Sequence, residues 1–404
     1  MGRALLLACT LSACASPTAS APQAVTNGTA DGGDPAVVAL VDVAGTVGCT
    51  ASVIAPHTAI TAAHCVAGRD PRALRALFGS SLADGVFVTI ADARVHPAFD
   101  ATSFAHDVAM LTLRDEAPVP PLALDERALD ASLVGATFTV VGFGTTTSAG
   151  GDGGEKRTGT ARISEVTADE LTALPDPSQP CRGDSGGPAL LSADAVAAVV
   201  SRGDSACSDH AIYARIDVAR GPLVDPYLAD TAPGTAHTGD ACFYAGHCAE
   251  GPCLQAQDDP LLYFCSRACT SDADCPDAMS CAADGCRYPE PSPGALGSAC
   301  TRDADCTSAT CREETCTVSC LGDPDACPAD YACRGEGLSL YCFAIEDTGC
   351  GGCAAGGGAP AWLVIIWLGW LGWFGRAGRS GRSGSRRDSR AARSGGGRRT
   401  RAGS

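Results

Sequence analysis

The chain has 404 residues, 24 cysteines and a formal net charge of −17. That length exceeds one ordinary domain and indicates two or three. Residues 376–404 hold ten arginines and one aspartate, so the rest of the chain is more acidic than the total indicates. An acidic body argues against nucleic acid as a partner, because phosphate backbones are bound by clustered positive charge.

The cysteines are crowded toward the second half of the chain. Four lie between Cys49 and Cys207, and sixteen lie between Cys242 and Cys342. Such density indicates an oxidising compartment, where the thiols form disulfides. The crowded region contains one histidine, His247, and no pair of repeated CxxC knuckles. We therefore expect neither a metal site nor a cofactor.

Residues 1–24 have the pattern of a signal peptide or propeptide, with one positive charge, a short apolar run and small residues. The segment Leu-Ser-Ala-Cys ending at Cys14 also resembles a bacterial lipobox, whose cysteine is lipidated after cleavage. The alternative is cleavage near Ala21 or Ala24, with Cys14 discarded. Both interpretations stay open.

Residues 25–230 predict an all-β domain of many short strands. Gly, Pro and Asp punctuate runs that are rich in β-branched residues, at 35–43, 86–90, 136–141 and 195–200. This pattern is typical of a sandwich or barrel. A segment of this length can bury a sizeable core as one domain or as two small barrels.

Three separated motifs lie within that domain: Thr-Ala-Ala-His-Cys at 61–65, His-Asp-Val-Ala-Met-Leu at 106–111 and Gly-Asp-Ser-Gly-Gly-Pro at 183–188. In order, spacing and local context, the chain resembles the chymotrypsin-type serine proteases across about residues 25–230. The resemblance implies two six-stranded antiparallel β-barrels. It also implies protein or peptide substrates.

The resemblance implies that His64, Asp107 and Ser185 form a catalytic triad. A serine hydroxyl is a poor nucleophile until a base takes its proton, and His64 is the expected base. Asp107 would hold the correct tautomer of His64 and stabilise the imidazolium. The backbone N–H groups of Gly183 and Ser185 would form the oxyanion hole.

The same resemblance implies two disulfides and an activation step. Cys49 would pair with Cys65 to bracket the histidine loop, and Cys181 would pair with Cys207 beside the serine loop. In this family a new N-terminus folds inward and its ammonium pairs with the aspartate before the nucleophile. Here these residues are Val25 and Asp184, so a zymogen is expected. Ala24 precedes Val25, which predicts an activating enzyme without trypsin-like specificity.

The resemblance also predicts the specificity pocket. Gln179 stands six residues before the serine, where trypsin-like members carry an aspartate. Ser201-Arg-Gly203 matches the segment that pairs with substrate backbone, and Ala211 stands where a glycine commonly keeps the pocket open. We expect a neutral, shallow pocket with a non-basic P1 preference. Asp209 could reach in from its loop, which keeps a basic preference open.

After a linker at 231–238, the chain contains an internal duplication at 239–288 and 297–345, with eight cysteines in each copy. Each copy would close four disulfides, since units this small need such staples. Eight cysteines allow 105 connectivities, so none is assigned. These cysteine-rich modules would bind a surface ligand or act as spacers.

The C-terminal segment 349–375 joins a Gly-Cys-Gly-Gly-Cys motif to an apolar stretch with four tryptophans, and the arginine-rich tail 376–404 follows. This arrangement resembles the myxobacterial C-terminal sorting signal, which implies transient membrane attachment. The alternative is a plain transmembrane helix with a cytoplasmic tail. Both place the body of the protein outside, in the medium or on the surface of a Gram-negative bacterium.

Together these features predict a secreted or surface-anchored serine endopeptidase that acts through an acyl-enzyme. The alternative is an inactive protease homologue that acts as an adhesion or binding protein through its cysteine-rich modules. An active-site probe that labels serine hydrolases would separate the two.

Overall fold

The computed structural model describes residues 25–345, except 152, 309, 322–326 and 337–338. All the described residues belong to one compact unit. The predicted leader 1–24 and the segments 349–375 and 376–404 lie outside the described residues. Within the described part, no helix is long and apolar enough to cross a membrane.

A two-residue strand, β1 (Thr29–Ala30), precedes the first barrel. The barrel consists of β2 (Val37–Asp42), β3 (Val47–Ala55), β4 (Thr58–Thr61), β5 (Leu74–Phe78), β6 (Val86–Val95) and β7 (Ala109–Leu113). These strands close in the order β2-β3-β4-β7-β6-β5, with antiparallel pairs throughout.

Strand β2 is buried on both faces, which explains why residues 37–41 are apolar at five successive positions. Val38 and Leu40 belong to the core inside the first barrel. Val37, Ala39 and Val41 belong to a second core, shared with residues of the other barrel. Since successive side chains of a strand point to opposite faces, both faces of β2 are buried and both must be apolar.

The second barrel follows in the chain. Its region contains β8 (Ala123–Leu124), β9 (Thr137–Gly142), β10 (Arg157–Val166), β11 (Glu170–Pro175), β12 (Pro188–Ser192), β13 (Ala195–Gly203) and β14 (Ala211–Arg215). Strands β9 to β14 close in the order β10-β11-β14-β13-β12-β9, through a β9–β10 pairing. Strand β1 adds to β10, and β8 adds to β13 as a parallel strand. The prediction of two six-stranded antiparallel barrels is confirmed.

A helical stretch ends the two-barrel region. It consists of α1 (Ile216–Ala219), a π-helical turn at Arg220–Val224 and α2 (Asp225–Asp230). The ring of Tyr227 is buried in the core between the barrels, and its hydroxyl lies 2.7 Å from Thr112 Oγ1 in β7. The helix therefore returns to pack on the first barrel.

The cysteine-rich region contains eight disulfides among the described residues. They join Cys242–Cys253, Cys248–Cys265, Cys269–Cys281, Cys275–Cys286, Cys300–Cys311, Cys306–Cys316, Cys320–Cys333 and Cys327–Cys342. In each copy the first cysteine pairs with the third, the second with the fourth, and the second half repeats that pattern. Each eight-cysteine copy is therefore two successive two-disulfide units.

Short antiparallel hairpins accompany these disulfides. They are β15 (Cys253–Gln255) with β16 (Tyr263–Cys265), β17 (Ser280–Ala282) with β18 (Gly285–Arg287), β19 (Cys311–Arg312) with β20 (Thr315–Cys316), and β21 (Tyr331–Glu336) with β22 (Ser339–Ala344). Hairpins of this size bury little apolar surface, so the disulfides carry much of the stability of the modules.

The cysteine-rich modules pack against the first barrel. The ring of Tyr244 stacks on His57, with centroids 3.9 Å apart. The Arg114 guanidinium lies over the ring of Tyr263, 3.7 Å from its centroid. Arg72 donates hydrogen bonds to the main-chain oxygens of Leu261 and Thr307, one in each module. These contacts fix both modules on the barrel.

Candidate active site

His64 and Asp107 meet at one end of the first barrel. His64 lies in a short 3-10 turn just after β4, and Asp107 lies just before the antiparallel neighbour β7. His64 Nδ1 is 2.7 Å from Asp107 Oδ2, and the backbone N–H of His64 donates to Asp107 Oδ1 at 2.8 Å. Ser201 Oγ donates to Asp107 Oδ2 at 2.6 Å. Since an ionised carboxylate only accepts, Nδ1 of His64 is the protonated nitrogen and Nε2 is left as the base.

Ser185 lies in the loop between β11 and β12, which the first barrel holds in place. The buried Thr50 donates its N–H to Ser185 O at 2.8 Å and its hydroxyl to Gly183 O at 2.9 Å. Cys65 Sγ is 3.8 Å from His64 Nε2 and 3.7 Å from Ser185 O. Within the described chain, no hydrogen bond joins Ser185 Oγ to His64 Nε2. In unliganded enzymes such catalytic hydrogen bonds are often long, and they shorten when substrate binds.

Gly183 has a backbone conformation that favours glycine, with φ of 96°. A Cβ at this position would lie 2.9 Å from Gly144 Cα, closer than real contacts allow. Among the described residues, neither the Gly183 N–H nor the Ser185 N–H donates a hydrogen bond. Two backbone N–H groups in this loop are therefore available as hydrogen-bond donors, as an oxyanion hole requires.

Asp184 points away from the surface and is fully buried. Its oxygens accept the N–H groups of Gly144 at 2.7 Å and Cys181 at 2.8 Å, and the backbone N–H of Val25 also hydrogen-bonds to it. Burial raises the pKa of Asp184 to about 7, although these donors lower it. These neutral N–H donors therefore do not keep the Asp184 carboxylate ionised below about pH 7.

The end of β9 and the two residues after it make room for Asp184. A Cβ on Gly142 would lie 2.1 Å from Asp184 Oδ1, and one on Gly144 would lie 2.6 Å from its Cγ. Phe143 between them packs into the core shared by the two barrels, whereas the two glycines leave space for the buried aspartate. Their Gly-x-Gly spacing was the available signal.

The segment after Val25 is tied to the loop that carries Gln179. Thr26 N donates to Gln179 O at 2.8 Å, and Thr26 Oγ1 donates to Cys207 O at 3.4 Å. Two disulfides brace the site: Cys49–Cys65 beside His64, and Cys181–Cys207 beside Gln179. The contacts of Thr26 therefore help to hold the loops that surround the neighbouring cavity, which Cys181 and Cys207 line.

A cavity of about 190 Å³ opens beside Ser185. Its lining residues are Pro180, Cys181, Arg182, Ser185, Val200, Ser201, Arg202, Gly203, Asp204, Ser205 and Cys207. Of the residues predicted to bind substrate, Ser201 and Gly203 line this cavity. Gln179 and Ala211 are buried and do not line it.

The carboxylate at the cavity is not the one that the sequence suggested. The Gln179 side chain donates to Asp204 Oδ1 and to His210 O, both at 2.7 Å. Asp209, the residue expected to reach inward, has a side chain that is 80% exposed and pairs with His210. Asp204 is the carboxylate that lines the cavity, and no sequence motif marked it.

The contacts of two further side chains near the site have no sequence signal. Phe104, with φ of 62°, presents its ring to His64 edge-on, with centroids 5.4 Å apart. Arg202, at a position that is usually aromatic in the resembling family, forms a two-pronged ion pair with Glu170 at 2.7 and 3.1 Å. Both depend on contacts between segments that are distant in sequence.

Residues 25–220 match the family model for trypsin. The trypsin of Saccharopolyspora erythraea is 28% identical over 202 residues, which cover 45% of this chain and 88% of that protein. Trypsin epsilon of Drosophila erecta is 28% identical over 173 residues, which cover 38% of this chain and 67% of that protein. The structure of neuropsin, a serine protease of mouse brain, has 18% identity and a TM-score of 0.45, and the match covers 50% of this chain and 99% of that one. Residues 25–220 therefore form a domain of the trypsin/chymotrypsin-like serine proteases, and the protein is a serine endopeptidase.

Proposed function

We propose that this endopeptidase cuts peptide bonds through His64, Asp107 and Ser185. The observation that carries the proposal is the pair of hydrogen bonds from His64 to Asp107, which orient the imidazole and leave Nε2 as a base. Ser185 Oγ attacks the substrate carbonyl carbon as its proton passes to Nε2. His64 then returns that proton to the leaving amine as the C–N bond breaks, and an acyl-enzyme remains. Water hydrolyses the ester by the same steps.

The oxyanion of each tetrahedral intermediate would be bound by the N–H groups of Gly183 and Ser185. Removing one such donor typically costs about 3–4 kcal/mol of transition-state stabilisation. The positive φ of Gly183 and its approach to Gly144 support this role, because a side chain there would displace the loop.

The enzyme would be a zymogen that is activated by cleavage before Val25. The freed α-ammonium would pair with Asp184 and compensate a carboxylate that accepts neutral N–H groups in the described structure. Burial of Val25 and its hydrogen bond to Asp184 support this step. Ala24 at the preceding position makes a trypsin-like activator unsuitable.

The P1 preference would be non-basic. Gln179 carries no charge, and its amide already bonds to Asp204 and His210. A lysine or arginine side chain of a substrate would therefore not find the free carboxylate that binds such groups in trypsin-like members.

The protein would be secreted or held at the surface of a Gram-negative bacterium. Its leader at 1–24, with or without lipidation of Cys14, and its transient or permanent membrane segment at 349–375 would direct it there. The eight disulfides of the modules support an oxidising compartment. The cysteine-rich modules would bind a surface ligand, and no observation favours the alternative of an inactive adhesion protein.

A fluorophosphonate probe tests the nucleophile directly. The wild-type enzyme should be labelled, and Ser185→Ala should abolish labelling and nearly all hydrolysis. Ser205→Ala is the matched control, because Ser205 lines the same cavity and is exposed. Equal labelling of the wild type and Ser185→Ala would refute the assignment.

A further inference from the structure

The cavity beside Ser185 is lined by three charged side chains: Arg182, Arg202 and Asp204. A substrate side chain that enters this cavity meets their fields at short range. Whether a charged substrate side chain is attracted or repelled depends on which of these three charges are already paired within the protein.

The charge of Arg202 is compensated. Its guanidinium binds both oxygens of Glu170, at 2.7 and 3.1 Å, and the two side chains are 31% and 19% exposed. This two-pronged pair fixes the orientation of the Arg202 guanidinium and occupies two of its N–H donors. Arg202 therefore contributes a fixed, nearly neutral wall.

The charge of Asp204 is spread over its own loop. Its carboxylate accepts the Gln179 amide and the backbone N–H groups of four residues, which are Ala206, Ser208, Asp209 and His210. Although desolvation opposes ionisation, these bonds lower the pKa of Asp204 to about 2. The carboxylate orders the loop and offers little to an incoming cation.

Arg182 is different. Its side chain is exposed, and among the described residues it makes neither an ion pair nor a side-chain hydrogen bond. It stands three positions before Ser185, at the edge of the same cavity. A guanidinium presents a planar fork that matches a carboxylate. It is the uncompensated charge of the cavity.

We propose that Arg182 is a specificity-determining residue that binds a substrate carboxylate, so the enzyme prefers glutamate or aspartate at P1. This inference rests on the proposed function, and it gives the non-basic pocket a positive rim. The pair would form at the edge of the site, partly in water. We therefore expect a preference of about 3- to 10-fold in kcat/KM for Glu over the isosteric Gln.

The test compares three fluorogenic peptides that differ only in Glu, Gln or Lys at P1. The Glu/Gln ratio of kcat/KM should exceed one in the wild type and fall toward one at 1 M salt, because salt screens an exposed pair. In Arg182→Gln the ratio should be near one at both salt concentrations. In Arg182→Glu the Lys peptide should become the better substrate.

Arg69→Gln is the matched control. Arg69 is also exposed and unpaired in the described chain, but it does not line the cavity, so this change should leave the Glu/Gln ratio as it is. A wild-type ratio near one, or a ratio that survives Arg182→Gln, overturns the inference while hydrolysis persists. Loss of all hydrolysis and of probe labelling in the wild type would instead refute the proposed function.

Discussion

Freeing the amino group of Val25 should stabilise the protein near and above neutral pH. The comparison is between a chain that starts at Val25 and one in which Ala24 still precedes it, both carrying Ser185→Ala to prevent self-digestion. In the longer chain the donors to Asp184 from the described residues are neutral N–H groups, those of Val25, Gly144 and Cys181. In the shorter chain an ammonium would replace the first of them.

The size of the effect follows from the pKa of Asp184. Burial raises it from 3.8 to about 7, and one pKa unit corresponds to about 1.4 kcal/mol, so the full difference is slightly above 4 kcal/mol. Because the folded pKa is the higher one, the folded state binds the proton more tightly than the unfolded state. This stabilising contribution is complete below about pH 4 and is lost as the pH rises through about 7.

Urea unfolding between pH 4 and pH 8 measures the difference. The longer chain should lose up to about 4 kcal/mol of unfolding free energy over this range, and the shorter chain should lose much less, because its ammonium favours the ionised carboxylate. Asp184→Asn in the longer chain removes the titrating group and should flatten its profile. Parallel losses in the two chains would mean that the amino group of Val25 does not reach Asp184.

Three further changes test other contacts of the protein. Ser201→Ala removes the hydroxyl that donates to Asp107 and should lower kcat about tenfold with little change in KM, as active-site-titrated kinetics would reveal. Gly144→Ala forces a Cβ to within 2.6 Å of the carboxyl carbon of Asp184. It should cost about 1–3 kcal/mol of unfolding free energy, whereas Gly221→Ala, where the added Cβ meets open space, should cost less than about 1 kcal/mol. Arg72→Ala removes hydrogen bonds to both modules and should speed limited proteolysis at 231–238 while leaving peptide hydrolysis unchanged.

The barrels were predictable because their signals are local or repeat along the chain. The apolar run 37–41 identifies a strand buried on both faces. The motifs around His64, Asp107 and Ser185 agree in order and spacing, so the resemblance extends over the whole two-barrel domain. The structure adds the hydrogen bonds between His64 and Asp107, which no pattern of residue types encodes.

The surroundings of the cavity were not predictable in the same way. Asp204 and Asp209 lie five positions apart in one loop, and the sequence does not distinguish which one turns inward. The choice is made by the fold, because the backbone N–H groups of residues 206 and 208–210 converge on Asp204. The pairing of the module cysteines was hidden for a related reason, since spacing alone leaves every connectivity open.

The direction of two strands determines what the cysteine-rich modules can influence. His57 precedes β4 and Arg114 follows β7, and both contact the modules. His64 follows β4, and Asp107 precedes β7. Because β4 and β7 are antiparallel neighbours, the modules contact the end of the barrel opposite His64 and Asp107. All the residues that line the cavity beside Ser185 belong to the protease domain. We therefore propose that the modules determine where the enzyme is held rather than which bond it cuts.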